Sequence, residues 1–332
     1  MTAAPSSSSS SSSSAPSSRP HILSVAKLAP FFMSQLQASF EVHDRLHDSD
    51  PAAFAKIAPQ IRGIAGGGES KVPRALQQQL PALEIISLMG VGYDGIDVAA
   101  AIERGIPVTH TPNVLNDEVA DLAMGLMLSV ARRIPLADRY VRAGRWAKEG
   151  PMPLARKVSG ARLGIVGLGR IGQAIADRAQ AFGMSIAYTA RSAKAGLPYA
   201  FYPTAAALAA EVDFLIVITP GGAGTRHMIN AEVLAALGSG GYLINVARGS
   251  VVDEAALVDA LQRGVIAGAG LDVFENEPHP LEALWALDNV VLTPHMASAT
   301  VQTRQAMADL AADNLRAHFA GTPLLTPVPE CA

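Results

Sequence analysis

The stretch Leu163-Gly164-Ile165-Val166-Gly167-Leu168-Gly169-Arg170-Ile171-Gly172 restricts what this chain can fold into more than any other. A short apolar run meets glycines spaced G-x-G-x-x-G, and an amphipathic segment follows. That order reads as a buried strand, a tight turn and a helix start. The three glycines serve different ends. Gly167 permits the turn, Gly169 lets backbone approach a pyrophosphate, and Gly172 lets the helix pack on the strand. The helix has Ile171, Ile175, Ala179 and Phe182 on one face and stops at Gly183. Its free N–H groups face an anion. The spacing alone is a weak signal, because a tight turn without a ligand uses the same residues. Between an apolar strand and an amphipathic helix, it points to dinucleotide binding.

The next strand bears on which dinucleotide. An NAD-specific fold of this kind places Asp or Glu about 20 residues past the turn, to accept from the ribose 2′-OH. Here the strand ends Ile186-Ala187-Tyr188-Thr189-Ala190-Arg191-Ser192, without an acid. Arg191 stands 22 residues after Gly169, with Ser192 beside it and Lys194 close by. A guanidinium and a hydroxyl suit a 2′-phosphate, so NADPH is the expected cofactor.

The rest of the chain alternates in the same manner. Before the glycine turn, apolar runs at Ile22–Val25, Ile61–Ala65, Leu83–Leu88 and Pro107–Thr109 read as strands. Helix-like segments lie near 31–38, 51–57, 72–79 and 97–104. After the turn, Ser185–Tyr188, Phe214–Thr219, Tyr242–Val246, Gly268–Asp272 and Val290–Leu292 join Leu163–Val166 to make six strands, the number a dinucleotide domain uses. A long helix opens at Asn116-Asp117-Glu118, with Asn116 as its cap and the acids at its positive end. Residues 144–160 carry Gly, Pro and charge without a period and read as an extended arm. A last helix covers about 300–319 and returns to the first domain. The expected fold class is α/β: two doubly wound parallel-sheet domains, with a Rossmann-type cofactor domain inserted into a flavodoxin-like substrate domain. The expected boundaries are a disordered Ser-rich tail over 1–20, a substrate domain over 21–115 and 299–332, and a dinucleotide-binding domain over 116–298.

Composition narrows the class of partner. At 332 residues the chain is long enough for two cores, and 49% hydrophobic with 17% charged residues is a globular composition. A net charge of −3 argues against a nucleic-acid footprint. No apolar run approaches ~20 residues, so no membrane span is expected. The tail, with its run Ser6–Ser14, lacks the apolar middle of a secretory signal. A single cysteine, Cys331, leaves no intrachain disulfide, which fits a reducing, cytoplasmic setting.

Three polar residues follow three successive late strands: Arg248, Glu277 and His295. Ligands of open parallel sheets bind outside the carboxyl ends of the strands, where the glycine turn also opens. A guanidinium binds a carboxylate through paired, charge-assisted hydrogen bonds. An imidazole titrating near neutrality can protonate a carbonyl oxygen as hydride reaches carbon, and a carboxylate on its far nitrogen orients it and favours its charged form. Taken singly, each has a bland reading: a surface ion pair, a solvated acid, a hydrogen-bonded histidine. Taken together beside a dinucleotide turn, they describe a 2-keto acid reductase. His43 and His47 lie four apart with no third ligand, so no metal site is expected.

Several motifs in one order carry a resemblance: VGYDGID (91–97), TPNVLNDEVADLAMGLML (111–128), GIVGLGRIG (164–172), INVARGSVVDE (244–254), GAGLDVFENEP (268–278) and TPHMASAT (293–300). From about residue 21 the chain resembles the D-2-hydroxyacid dehydrogenases, nearest their NADPH-dependent hydroxypyruvate/glyoxylate reductase branch, with the hydroxyphenylpyruvate reductases. The resemblance implies that Arg248, Glu277 and His295 are the family's catalytic triad. It also implies a substrate-carboxylate loop at Val91 and Gly92, whose N–H groups point at the ligand. It assigns the nicotinamide amide to Asp272 and the pyrophosphate side to Arg170 with Ile171 next to it, and it counts Thr219 among the cofactor-binding residues. The arm around Trp146–Leu154 is similar to the family's dimerisation segment, which implies a homodimer. The chain departs from the pattern at Thr219-Pro220-Gly221-Gly222-Ala223-Gly224-Thr225, where glycines replace a stiffer stretch, and at Ala297, where Gly is frequent.

The expected activity is therefore reduction of a small 2-keto acid, such as hydroxypyruvate or glyoxylate, to the D-2-hydroxy acid with NADPH. Two alternatives stay open on the sequence: a relative acting on another acid (aryl pyruvate, formate or phosphite), and a dinucleotide-sensing interaction protein on the same fold.

Overall fold

In the computed structural model, which describes residues 19–331, the strands form two sheets, and every strand pairing within them is parallel. The first sheet contains β1 (His21–Ser24), β2 (Glu41–Asp44), β3 (Ile61–Gly67), β4 (Ile85–Met89) and β5 (Val108–Thr109), in the order β2-β1-β3-β4-β5. That is the flavodoxin-like order, with its reversal between β1 and β3. The second contains β6 (Arg162–Val166), β7 (Ser185–Thr189), β8 (Ala200–Phe201), β9 (Phe214–Val217), β10 (Tyr242–Asn245), β11 (Gly268–Leu271) and β12 (Val290–Leu292). Its order, β12-β11-β10-β9-β6-β7-β8, is the dinucleotide-fold order 3-2-1-4-5-6 with one strand added beyond the sixth. The central strands read as continuous apolar runs because helices cover both faces; β4 and β9 are buried along their whole length.

Two expected counts need correction. The first sheet has a fifth strand, β2, whose sequence Glu-Val-His-Asp lacks an apolar run; it lies at the sheet edge and is partly exposed. The second sheet has seven strands rather than six. The strand missing from the expected set is β8, a two-residue edge strand that offers almost no sequence signal.

Long helices set the two sheets side by side. The helix Asn116–Ala131 buries Val119, Ala123, Leu126, Met127 and Val130, and packs on β10, β11 and the helix Arg170–Ala181. Asn116 is not its cap: Leu115 holds that position without a side-chain bond, and Asn116 is the first helical residue. Asp117 in its first turn and Asp121 in its second accept from Arg178 at 3.1 and 2.6 Å. The helix Val301–Phe319 is capped by the Thr300 hydroxyl and lies on β4 and the helix Pro30–Ser39. There Ser87 Oγ donates to the Ala311 carbonyl at 2.9 Å, and Phe319 meets Phe40. One apolar cluster runs from Ile22, Phe32 and Ile85 through Leu115 and Val119 to Leu163, Ile175 and Phe214.

The arm expected to be extended over 144–160 contains a short helix, Arg145–Glu149, closed by an Arg145–Glu149 pair at 2.8 Å. Trp146 and Leu154 point outward, 64% and 98% exposed. The tail expected over 1–20 lies outside the described residues except for its end. There Arg19 donates to the Gln37 carbonyl, and the Pro20 carbonyl accepts from Glu41 at the sheet edge. Among the described residues no helix is long and apolar enough to cross a membrane.

Candidate active site

The carboxyl ends of both sheets open onto one cleft of about 2810 Å³. Its lining follows the strand ends: Gly67–Glu69 after β3, Gly90–Asp94 after β4, Gly167–Gly172 after β6, Ala190 and Arg191 after β7, Thr219 after β9, Val246–Arg248 after β10, and Asp272 after β11.

On one side lies the glycine turn. Gly167 has φ +100°, a conformation that an L side chain resists, and a Cβ there would lie 2.8 Å from the Ile218 carbonyl oxygen. A Cβ on Gly172 would lie 2.5 Å from the Gly167 oxygen, so helix and turn touch through backbone. A Cβ on Gly169 would meet no protein atom within 4 Å; the space beside it is the cleft. The helix begins at Arg170 with no side-chain cap, so its first N–H groups, with Arg170 and Ile171, are available to an anion. Thr219 Oγ1 is buried at the cleft wall and has no hydrogen-bond partner among the described residues. An unmet buried hydroxyl suits a polar ligand. Farther out, Arg191 and Lys194 line the cleft, while Ser192 between them is exposed. This donor set fits a dinucleotide carrying an extra phosphate.

On the other side the three late-strand residues converge. Arg248 donates through Nη1 to its neighbour Ala247 at 2.8 Å and through Nε to Asp94 at 3.2 Å. Its guanidinium lies against Gly92, where a Cβ would collide with Nη2. Gly221 performs the same service from the loop that departs from the family pattern: a Cβ there would be 2.9 Å from Asp94 Oδ2 and 3.0 Å from Arg248 Cγ. The Val91 carbonyl is held by His110 Nδ1 at 2.9 Å, which fixes the 91–92 loop.

His295 sits in the left-handed region, φ +48°, a strained conformation for a non-glycine residue. Its N–H donates to the Asp272 carbonyl at 2.8 Å. The Asp272 carboxylate accepts from Thr293 Oγ1 at 2.6 Å and from the N–H groups of Met296 and Ala297, both at 2.9 Å. Asp272 therefore braces the turn that carries His295, a role that its position in the sequence does not reveal. The imidazole Nδ1 pairs with Glu277 Oε2 at 2.8 Å, and Glu277 Oε1 accepts from the Phe274 N–H at 2.8 Å. The same Nδ1 also meets Glu69, from the loop after β3. Burial works against a charged imidazole here, but hydrogen bonds and charge from Glu277 and Glu69 outweigh it and push the His295 pKa up to about 9. Chiefly through the bond to His295, Glu69 is held down at about 2.

The cleft thus brings together the triad, the 91–92 loop, Asp272, Thr219, Arg191 and the glycine turn. Sequence reasoning missed Glu69 and Asp94. Asp94 lies inside a quoted motif, VGYDGID, but its partner is 154 residues away. Glu69 lies in a Gly-rich loop with no motif of its own. The arrangement can hold a carboxylate at Arg248 and present a protonated imidazole to an oxygen beside a bound dinucleotide.

The family described as D-isomer specific 2-hydroxyacid dehydrogenase, NAD binding domain, matches residues 124–297. A hydroxyphenylpyruvate reductase of Plectranthus scutellarioides is 51% identical over 308 residues, 92% of this chain and 98% of that protein. A 2-ketogluconate reductase of Gluconobacter oxydans is 47% identical over 312 residues, 94% of this chain and 99% of that protein. Among solved structures, an NADPH-dependent glyoxylate/hydroxypyruvate reductase of Sinorhizobium meliloti, in complex with NADP and malonate, aligns with TM-score 0.90 and 51% identity. That alignment covers 95% of this chain and 98% of that one.

Proposed function

The chain belongs to the D-isomer-specific 2-hydroxyacid dehydrogenases, and from that premise we propose that it reduces small 2-keto acids, hydroxypyruvate and glyoxylate first, to D-2-hydroxy acids with NADPH. The observation that carries this reading is the convergence of Arg248, Glu277 and His295 on the cleft that the glycine turn also lines. When bound, NADPH supplies the hydride that the keto carbon receives. Arg248 and the N–H groups of Val91 and Gly92 hold the substrate carboxylate, and Asp94 keeps the guanidinium in place. With Nδ1 engaged by Glu277, His295 presents Nε2 to the keto oxygen and gives it a proton. Arg191, Lys194 and Ser192 meet the 2′-phosphate, and Gly167, Gly169, Arg170, Ile171 and Gly172 hold the pyrophosphate. Thr219 Oγ1 contacts the cofactor from the cleft wall. Asp272, with lone-pair capacity beyond its three bonds, takes the nicotinamide amide.

Domain division and assembly belong to the same proposal. The substrate half is 21–115 with 299–332, and the cofactor half is 116–298; the lean of the helix 301–319 on β4 supports the return. The exposed Ile134, Val141, Trp146 and Leu154 support a homodimer built on the arm. A cytoplasmic setting is proposed on the single cysteine, and fractionation tests it.

The deciding experiment is steady-state kcat/KM for hydroxypyruvate, glyoxylate, 2-ketogluconate and hydroxyphenylpyruvate with NADPH and NADH. Turnover of the small keto acids with NADPH preferred is the expected result. Absence of turnover on all four sinks the proposal.

A further inference from the structure

Glu69 is an acid in the cleft that the reaction above does not use. It follows Gly66-Gly67-Gly68 at the end of β3, and the loop is closed on itself: Ser70 Oγ accepts from the Gly67 N–H at 2.8 Å, and the Ser70 N–H donates to the Gly67 carbonyl at 3.1 Å. Gly68 packs directly on Gly90, next to the 91–92 loop, so the base of Glu69 is fixed. Its carboxylate crosses the cleft and meets His295 Nδ1, the nitrogen that also pairs with Glu277 at 2.8 Å. One polar side-chain atom from each of Glu69, Glu277 and His295 lies within 4.8 Å of the other two.

We propose that Glu69 is a positioning residue for His295: a second carboxylate partner of the imidazole, supplied by the sheet that faces it. The proposal rests on the reading of His295 as the proton donor. Nδ1 carries one hydrogen, so two acids on it exceed what orientation needs; one would fix the ring. What two negative groups add is preference for the imidazolium, the form that can give a proton from Nε2. They also clamp the ring from two elements. Glu277 stands on the turn after β11, in the same sheet as His295, whereas Glu69 hangs from β3 in the other. The donor is therefore completely assembled only while the two rims of the cleft are together.

The other charged groups around the imidazole fit this arrangement. Arg248 from the end of β10 and Arg304 from the helix 301–319 lie near Glu69 and temper its charge. Asp272 at the end of β11 spends its carboxylate on Thr293, Met296 and Ala297. Behind Glu277, Glu254 accepts from the Glu275 N–H, and burial raises its pKa. Glu69 and Glu277 are thus the acids that touch the ring itself.

The test is the titration of His295 followed by NMR on the full chain with labelled histidine, its signal assigned by its loss in His295→Ala. Glu69→Gln keeps the side-chain size and removes the charge. The expected result is a titration midpoint lowered by about one pH unit in Glu69→Gln, lowered in Glu277→Gln also, and lowest in the double variant. The alkaline limb of kcat/KM for hydroxypyruvate moves with it, and NADPH affinity, read by fluorescence titration, stays as in the wild type. An unmoved His295 midpoint in Glu69→Gln overturns the proposal, and so does a loss of activity that is uniform across pH. The titration requires no turnover. An inactive wild type would thus sink the proposed reaction and leave the Glu69–His295 pair to be judged by NMR.

Discussion

At the scale of single residues, the proposed reaction depends on His295 carrying a proton. Its pKa is raised above the ordinary 6.5 to about 9, so in the reducing direction the charged form persists through neutrality and is lost as pH climbs through about 9. The reductive rate is expected to hold from pH 7 to 8 and to fall beyond. His295→Ala removes the donor and should lower kcat by about 10²–10⁴-fold, the usual worth of a positioned general acid, with NADPH affinity kept. Near-normal turnover in the folded variant would contradict the assignment. In the same proposal, Arg191 sets the cofactor choice. It lines the cleft, and its side chain is exposed there. Charge-assisted hydrogen bonds contribute roughly 1.5–3 kcal/mol each. Arg191→Ala should therefore cut the NADPH-over-NADH ratio of kcat/KM by about 10- to 150-fold. An unchanged ratio would show that the 2′-phosphate is held elsewhere.

At the scale of elements, the glycine turn separates fold from binding. Gly172→Ala places a methyl 2.5 Å from the Gly167 oxygen, a backbone atom that cannot swing away. The helix 170–181 must shift, at a cost of about 1–3 kcal/mol, so Tm should drop by at least ~2 °C. Gly169→Ala meets no protein atom within 4 Å, and its methyl points into the cleft. It should leave Tm unchanged and weaken NADPH binding. Calorimetry and cofactor titration on the two variants check the pair; a large Tm loss in Gly169→Ala would contradict the open space beside the turn. Legibility also differed by element. The central strands were readable because burial on both faces forces continuous apolar runs. The edge strands β2 and β8 were not, because an edge needs few apolar residues and its pairing is set by the neighbour. Asn116 shows the same limit at a helix end: it has the right chemistry for a cap, but the chain enters the helix one residue earlier.

At the scale of the whole molecule, the exposed apolar arm predicts assembly. Leu154 is almost entirely exposed, and a stable homodimer must bury roughly 1,600 Å² or more in total. Sedimentation should show a dimer, and the double substitution Trp146→Arg with Leu154→Arg should shift it to monomer; a wild type that sediments as a monomer would refute the arm's role. The sequence by itself determined the class of fold, the place of the glycine turn, the missing acid after β7, and the candidates Arg248, Glu277 and His295. All of these are local: they follow from periodicity, from glycine spacing, and from the rule that strand ends face the ligand. The tertiary structure alone decided which side chains meet. It put Glu69 on the same nitrogen as Glu277, Asp94 behind Arg248, and Asp272 beneath the His295 turn. Those contacts join residues 18 to more than 200 positions apart, across two sheets whose separation is set by packed helices. No periodicity within one segment records a distance fixed by the packing of others.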